Sequence, residues 1–196
     1  MKIIVICLVT IKVSAIEKVI LFGDSLMAGY GLPNEKHLSV VLQRNLVSEG
    51  HNIEVVNGSV SGSTSAGGLN IAEWTLTESD IDLMILCLGA NDMLRGINPK
   101  ETKNNLEKII KIAKDKDITV IIAGMIAPIS YGLNYKQTFD KIFADLAKKY
   151  ELQLVPFLLE GVAQKPEFNL SDGMHPNDQG TIIISNTLKD AILKNL

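Results

Sequence analysis

Cysteine is scarce in this 196-residue chain, which contains only Cys7 and Cys87. Cys7 lies within the first fifteen residues, so a chain cut after them keeps a single cysteine and cannot form an internal disulfide. Cys87 lies in the middle of an apolar segment and reads as a small buried hydrophobic side chain. We therefore expect no stabilisation from disulfide bonds.

Clusters of basic residues, low-complexity tracts and internal repeats are also absent. The 19 lysines and arginines are outnumbered by 22 acidic residues, giving a formal net charge of −3. Without a basic stripe to meet phosphates, a nucleic-acid partner is not expected. With 46% hydrophobic residues, the length suits one domain with a sizeable core. We expect this domain to be a monomer.

The N-terminus, "MKIIVICLVTIKVSA", has the pattern of a signal peptide. A lysine precedes an apolar run over residues 3–11, and Val13 and Ala15 place small residues where a signal peptidase cuts. The run is too short to span a bilayer, which takes about 20 residues, so no stable membrane insertion is expected. We predict a signal peptide over residues 1–15, a single domain over 16–196, and a periplasmic or secreted protein. Lys12 weakens this pattern, and the alternative is a buried N-terminal strand.

Five short segments are almost continuously apolar, as expected of strands that are covered on both faces. They span residues 18–22, 53–57, 82–89, 118–124 and 152–157. Segments with helical periodicity alternate with them, over residues 37–50, 101–117, 135–150 and 178–196. This alternation predicts an α/β fold with a five-stranded parallel sheet and helices on both faces.

Polar, glycine-rich stretches follow the first three predicted strands. They read "GDSLMAGYG", "NGSVSGSTSAGG" and "GANDMLRG", and a fourth polar cluster, "SDGMHPND", precedes the last helix. In parallel sheets, ligands bind beyond the carboxyl ends of the strands. We therefore predict that the four stretches converge on one edge of the sheet.

Ser25 lies where the first strand ends, in a position to act as a nucleophile if a base removes its proton. Of the three histidines, His37 and His51 lie in local or solvated positions, whereas His175 is held between a turn and a proline. Asp172, three residues earlier, can reach the imidazole and fix its tautomer. These residues suggest a Ser–His–Asp arrangement.

An acyl-transfer reaction also needs donors for the oxyanion. The backbone N–H groups of Ser25 and Gly62 and the side-chain amide of Asn91 are suitable, since each lies in one of the polar stretches. Gly62 lacks a Cβ and therefore allows close approach of the backbone. Taken singly, each of these motifs can also be an ordinary turn or helix cap.

Together, "FGDSL" (22–26), Gly62 in "SVSGSTSAGG", "GAND" (89–92) and "DGMHPN" (172–177) resemble the four sequence blocks of the GDSL-type SGNH hydrolases. The likeness is greatest to the periplasmic thioesterase, arylesterase and lysophospholipase branch, and it extends over the whole chain after the predicted signal peptide.

That resemblance implies a flavodoxin-like three-layer α/β/α sandwich with a Ser25–His175–Asp172 triad. It also implies the oxyanion hole described above, no metal and no cofactor, and export from the cytoplasm. Met27 departs from the family, which usually has Ser or Thr at this position, and suggests a more apolar mouth of the site.

An apolar loop over residues 124–135 is a candidate for one wall of an acyl-chain groove. The residues predicted to bind substrate are Met27, Leu32, Pro33, Ile126, Pro128, Tyr131 and Leu133. The loop residues equally suit packing against the edge of the sheet, and the sequence does not choose between the two.

We therefore expect a serine hydrolase that cleaves a small-molecule carboxylic ester or thioester through a covalent acyl-enzyme. A carbohydrate O-acetylesterase is the alternative among enzymes. A flavodoxin-like nucleotide- or flavin-binding module is disfavoured, because "GDSLMAG" matches neither the dinucleotide fingerprint nor the phosphate loop.

Overall fold

The computed structural model describes residues 16–77 and 80–196. The predicted signal peptide, residues 1–15, lies outside the described residues. The described strands are β1 Lys18–Gly23, β2 Glu54–Asn57, β3 Leu83–Cys87, β4 Thr119–Ala123 and β5 Gln153–Val155. The described α-helices are α1 Ser25–Ala28, α2 Leu38–Ser48, α3 Ser65–Thr75, α4 Ala90–Leu94, α5 Pro99–Lys114, α6 Leu133–Tyr150 and α7 Asp178–Leu193.

The five strands form one parallel sheet in the order β2-β1-β3-β4-β5. This is the flavodoxin-like order, which reverses direction between β1 and β3. Gly23 at the end of β1 pairs with Cys87 at the end of β3. The segments that follow these two strands therefore leave the sheet side by side. The predicted α/β fold and its parallel sheet are confirmed.

Helices cover both faces of the sheet, which gives three layers. α2 and α7 pack against each other on one face, and α3, α5 and α6 pack in sequence on the other. In α5 the predicted apolar stripe is buried, including Leu106, Ile109 and Ile110, each at 0% exposure. Burying one such side chain contributes about 1.5–3 kcal/mol, so the stripe anchors the helix to the sheet.

The predicted strands agree with the structure apart from their ends. β5 stops at Val155, whose carbonyl accepts from the Gly124 N–H, and beyond it the Gly124 carbonyl accepts from the Leu158 N–H, outside the regular ladder. Within the described chain, no helix is both long and apolar enough to cross a bilayer.

Helix α3 was not predicted, because its first turn contains Gly67 and Gly68, which are poor helix formers. The structure supplies a cap instead, since the Thr64 side chain accepts a hydrogen bond from the Gly67 N–H. A Cβ on Gly68 would lie 2.3 Å from Leu88 Cδ1, so the Leu88 side chain would have to shift to admit a larger residue where α3 approaches the sheet. The glycine-rich stretch after β2 is thus a short loop followed by a helix.

Candidate active site

The turn between β1 and α1 presents Ser25 at the carboxyl edge of the sheet. Ser25 is the first residue of α1, and the side chain of Asp24 caps the helix by accepting from the Leu26 N–H. The preceding Gly23 packs tightly, because a Cβ there would lie 2.6 Å from both Cys87 O and Met27 Cγ. The turn is therefore held against the sheet, and the position of the serine hydroxyl is fixed by the fold.

A continuous hydrogen-bonded chain joins Asp172, His175 and Ser25. His175 Nδ1 lies 2.7 Å from Asp172 Oδ2, and His175 Nε2 lies 2.9 Å from Ser25 Oγ. A carboxylate can only accept, so Nδ1 carries the ring proton and the Ser25 hydroxyl donates to Nε2. This tautomer leaves Nε2 as the acceptor for the serine proton.

Asp172 is kept ionised by its local backbone. Its Oδ1 accepts hydrogen bonds from the backbone N–H groups of His175 and Met174. These bonds, together with the His175 side chain, lower the pKa of Asp172 from 3.8 to about 2. The Asp172 side chain is therefore a carboxylate above about pH 4.

The backbone around His175 is tied down on both sides. Its carbonyl accepts from the Leu170 N–H at 2.7 Å, and Pro176 forms an antiparallel bridge with Asn169. The Tyr30 ring packs against the imidazole at a tilt of 37°, with ring centroids 4.4 Å apart. These contacts hold the imidazole in place next to Ser25.

Gly62 and Asn91 line the same cavity as Ser25. Gly62 has a φ of +79°, and a Cβ there would meet open space. The left-handed backbone, and not crowding, therefore requires glycine at this position. Asn91 lies in α4, and its Nδ2 donates to Asp24 Oδ2 at 3.3 Å. Ser25, His175, Gly62 and Asn91 thus line one cavity, and Asp172 is joined to it through its bond to His175.

Two buried carboxylates flank Asn91, and the sequence analysis assigned neither a role. Asp24 and Asp92 are each 1% exposed. Asp92 accepts from the Ser65 N–H at 2.7 Å, from Ser65 Oγ at 2.5 Å and from Thr102 Oγ1 at 3.0 Å. It therefore joins α4, which carries Asn91, to the start of α3 and to α5. Burial raises the pKa of Asp24 to about 6.

The cavity next to Ser25 has a volume of about 980 Å³. Two of the predicted substrate-binding residues, Ile126 and Pro128, line it. The prediction is wrong for Met27, which is 0% exposed and packs in the core against Gly23. An apolar side chain at this position serves the packing of α1 on the sheet.

The other four predicted substrate-binding residues do not line the cavity either. Leu32 and Pro33 lie before α2, and the Leu32 carbonyl is within hydrogen-bond distance of His37 Nε2 at 3.1 Å. Tyr131 packs on Tyr135, with ring centroids 5.7 Å apart, and Leu133 is 58% exposed at the start of α6. The loop after β4 therefore contributes its first half to the cavity and turns away in its second half.

The segment after β5 forms a wall that the sequence analysis missed. Phe157, Leu159 and Ala163 supply apolar surface there, and Glu160 and Lys165 supply charge. This segment contains no motif of chemically active residues. Only its position, after the fifth strand of a parallel sheet, could have indicated that it meets the ligand.

A parallel sheet that presents a Ser–His–Asp chain beside an apolar cavity defines a serine hydrolase of ester-type bonds. The sequence matches the GDSL-like lipase/acylhydrolase family over residues 21–181. The chain belongs to this family, and the resemblance seen in its four motifs is confirmed.

Individual relatives and solved structures are similar over nearly the whole chain. An arylesterase of Vibrio mimicus is 38% identical over 93% of this chain and 91% of its own. Esterase TesA of Pseudomonas aeruginosa is 36% identical over 83% of this chain and 81% of its own. A crystal structure of TesA superposes with a TM-score of 0.86 at 32% identity, covering 92% of this chain and all of that one. AlinE4, an SGNH-hydrolase family esterase, has a TM-score of 0.78 at 37% identity, covering 93% and 98%.

Proposed function

We propose that Ser25, His175 and Asp172 hydrolyse a small-molecule carboxylic ester or thioester through a covalent acyl-enzyme. The observation that carries the proposal is the hydrogen-bonded chain from Asp172 through His175 Nε2 to Ser25 Oγ beside the cavity. As Oγ attacks the acyl carbon, its proton moves to Nε2, and Asp172 stabilises the imidazolium. His175 then protonates the leaving alcohol or thiol as the bond to it breaks. Water attacks the acyl-enzyme by the same route and releases the acid.

The negative charge that develops on the carbonyl oxygen would be met by three donors. These are the Ser25 N–H, the Gly62 N–H and the Asn91 Nδ2–H group, which belong to three different strand ends. Donors fixed in advance stabilise a transition state without further reorganisation, and loss of one costs about 10²–10³ in kcat. The buried bonds of Asp92 support this role, since they hold α4 close to the α3 start that follows Gly62.

The acyl chain would lie against the apolar wall of the cavity. That wall includes Met93, Ile126, Phe157 and Leu159, and the cavity volume of about 980 Å³ is at the upper end of the usual range for ligand sites, about 300–1,000 Å³. A sugar acetate places only a methyl group on the acyl side and would leave this wall uncovered. Acyl esters or thioesters with longer chains therefore suit the site better than acetylated carbohydrates.

The first test is hydrolysis of p-nitrophenyl esters from acetate to palmitate by the wild type and by Ser25→Ala. We expect activity that rises beyond acetate and disappears in the variant. A Ser48→Ala variant is the matched control, because Ser48 lies at the end of α2 and bonds only locally to Asn45 O. Equal activity of wild type and Ser25→Ala would contradict the assignment of the nucleophile. Activity on acetate alone would favour the O-acetylesterase.

We also propose that the protein is exported, with residues 1–15 removed, and works as a monomer. The support for export and cleavage is the N-terminal sequence, which has a lysine, an apolar run and small residues at the predicted cleavage site. Cleavage after Ala15 removes Lys2 and Lys12, so 17 basic residues face 22 acidic ones and the net charge becomes −5. The mass of the protein recovered outside the cytoplasm should correspond to a chain starting at Ile16. A chain that retains Met1 there would contradict the cleavage, and a dimer in sedimentation would contradict the monomer.

A further inference from the structure

The Asn91 side chain has two chemically opposite ends, and only one of them can serve an oxyanion. Its Nδ2 group donates, whereas its Oδ1 atom accepts and would repel a negative oxygen. A rotation of about 180° around the last side-chain bond exchanges the two ends at little steric cost. An oxyanion donor of this kind therefore needs a neighbour that holds the amide in one orientation.

Asp24 is placed to do this. Its Oδ2 lies 3.3 Å from Asn91 Nδ2. Because a carboxylate has no donor, the end of the amide that faces Asp24 has to be the NH₂ group. One N–H then points to Asp24, and the second N–H of the same nitrogen remains for the cavity, which Asn91 lines.

Asp24 is itself fixed in place by the fold. It is 1% exposed, and its Oδ1 accepts from the Leu26 N–H at 3.1 Å as the cap of α1. It directly precedes Ser25 and follows Gly23, which has no room for a Cβ. The residue that sets the turn of the nucleophile thus also contacts the amide contributed by the neighbouring strand end.

We propose that Asp24 is a positioning residue of the oxyanion site, whose carboxylate holds the Asn91 amide with its nitrogen toward the substrate. The inference rests on the proposed role of Asn91 as an oxyanion donor. Burying a carboxylate costs free energy, which a structural cap alone does not require because Ser or Asn would cap α1 as well. Asp is the side chain that both caps the helix and accepts from Asn91.

The charge of Asp24 then sets the orientation of the amide. The titratable groups that face it are His175, Asp92 and Cys87. Burial raises the pKa of Asp24 to about 6, against the lowering effects of the Leu26 N–H, the Asn91 amide and His175. Above this pH the carboxylate accepts from Nδ2. Below it the carboxyl group can donate to Asn91 Oδ1 instead, which allows the rotated amide.

The decisive experiment is a double-mutant cycle with Asp24→Asn, Asn91→Ala and the double variant, assayed on p-nitrophenyl butyrate. The Leu26 N–H and the Asn91 Nδ2 group bond to different oxygens of Asp24, and in an asparagine one of these two atoms is replaced by an NH₂ group that cannot accept. We expect Asn91→Ala to lower kcat by about 10²–10³, and Asp24→Asn to lower it by roughly tenfold or more. KM should change less than about threefold in either, since the lost interaction belongs to the transition state. The double variant should have the kcat of Asn91→Ala alone.

The outcomes that would overturn the proposal are distinct from those that would overturn the mechanism. An Asp24→Asn enzyme within about twofold of wild type, or a double variant reduced by the full product of the two losses, contradicts the role of Asp24. A wild-type kcat in Asn91→Ala contradicts the oxyanion role of Asn91 itself. Asp82→Asn is the matched control, because Asp82 accepts two backbone N–H bonds at the opposite edge of the sheet. Its kcat should equal that of the wild type.

A second variant and a direct readout cover the case in which Asp24→Asn folds poorly. Asp24→Ser retains a capping hydroxyl for α1 and removes the acceptor for Asn91, so it should show the same loss of kcat. In ¹H–¹⁵N spectra, the side-chain NH₂ signals of Asn91, assigned by their absence in Asn91→Ala, should shift with pH around a midpoint of about 6. The shift should vanish in Asp24→Ser. Signals that titrate identically in both proteins would contradict the proposal.

Discussion

The two edges of the sheet carry similar residue types in opposite arrangements. At the amino edge, Glu17, Glu54, Asp80 and Asp82 surround a second cavity of about 750 Å³ together with His51. Asp80 is largely exposed and pairs with Lys18 at 3.1 Å. At the carboxyl edge, Asp24 and Asp92 are buried and bond to groups on other elements. Carboxylates and a histidine therefore lie near a cavity at both edges, but in different arrangements.

The difference lies in connectivity and burial. At the carboxyl edge side chains bond to one another, from Asp172 through His175 to Ser25 and from Asp24 to Asn91. At the amino edge, Asp82 caps the start of β1 by accepting from Glu17 and Lys18 N–H groups. The carboxyl edge therefore fixes groups relative to each other, whereas the amino edge fixes the chain.

Removing the histidine side chain at each edge should give the largest difference in kcat between the two edges. His175→Ala leaves no acceptor for the Ser25 proton, and we expect kcat to fall by roughly 10⁵–10⁶. His51→Ala removes the histidine of the amino-edge cavity and should leave kcat unchanged. Rates on p-nitrophenyl butyrate measure both. A comparable loss in the two variants would mean that the carboxyl edge is not the site of reaction.

Neutralising the carboxylate that bonds to His175 should give the next largest effect. Asp172→Asn loses the partner that fixes the His175 tautomer, and we expect kcat to fall by about 10⁴. In the wild type, the lowered pKa of about 2 means that the stabilisation from Asp172 is present above about pH 4 and lost as the pH falls through about 2. Denaturation curves at decreasing pH check this. A wild-type kcat in Asp172→Asn would exclude the aspartate from the mechanism.

Gly50 is a matched control for Gly62, the glycine proposed as an oxyanion donor. Gly62 and Gly50 have φ values of +79° and +89°, and a Cβ at either position would meet open space. Alanine at each should therefore cost a similar amount of stability, about 1 kcal/mol. Only Gly62→Ala should lower kcat, by about 10–100-fold, because it shifts the backbone N–H. Parallel measurements of Tm and kcat make the test. Equal kcat in both variants would remove Gly62 from the oxyanion hole.

Because Asp24 is a buried charge, stability and activity should respond to pH in opposite directions. Its folded pKa of about 6 lies above the unfolded value of 3.8, so the folded state is favoured below about pH 4 and loses this advantage as the pH rises to about 6. The loss is on the order of 1–3 kcal/mol. Asp24→Asn should lack this decline in urea denaturation series between pH 4 and 7. A decline identical to that of the wild type would assign it to other groups.

Substitution in the apolar wall of the cavity should give the smallest effect. Phe157→Ala removes apolar surface from the cavity and should lower kcat/KM for p-nitrophenyl palmitate by roughly tenfold, with little change for the acetate. Trp74→Ala is the control, because Trp74 is 83% exposed on α3 and does not line the cavity. A uniform loss over all chain lengths would mean that Phe157 supports the fold and not the acyl chain.

Much of this organisation could be predicted from the sequence. Strands that are buried on both faces leave continuous apolar segments, so β1 to β5 were evident before the structure. The positions of Ser25 and His175 were evident because turns and strand ends in a parallel sheet meet at one edge. The strands depend on local composition, and the positions of the two residues depend on the parallel sheet that those strands form.

What the sequence did not reveal depends on tertiary contacts. Helix α3 forms despite its glycines, because Asp92 accepts from the Ser65 N–H at its first turn and Gly68 lets it approach Leu88. Met27 was predicted to bind substrate and instead lies in the core, since an apolar side chain near a site suits either environment. The wall after β5 has no motif, and its residues acquire a function only by facing the cavity.

The most direct test is to trap a covalent adduct at Ser25 that mimics the acyl-enzyme. The purified enzyme is treated with a p-nitrophenyl alkylphosphonate, and the modified peptide is located by mass spectrometry, with His175→Ala and Ser25→Ala in parallel. We predict one adduct per chain on Ser25, which forms much more slowly in His175→Ala and does not form in Ser25→Ala. An adduct on any other residue, or equal labelling of Ser25→Ala, would contradict the central claim that the Asp172–His175–Ser25 chain activates this serine.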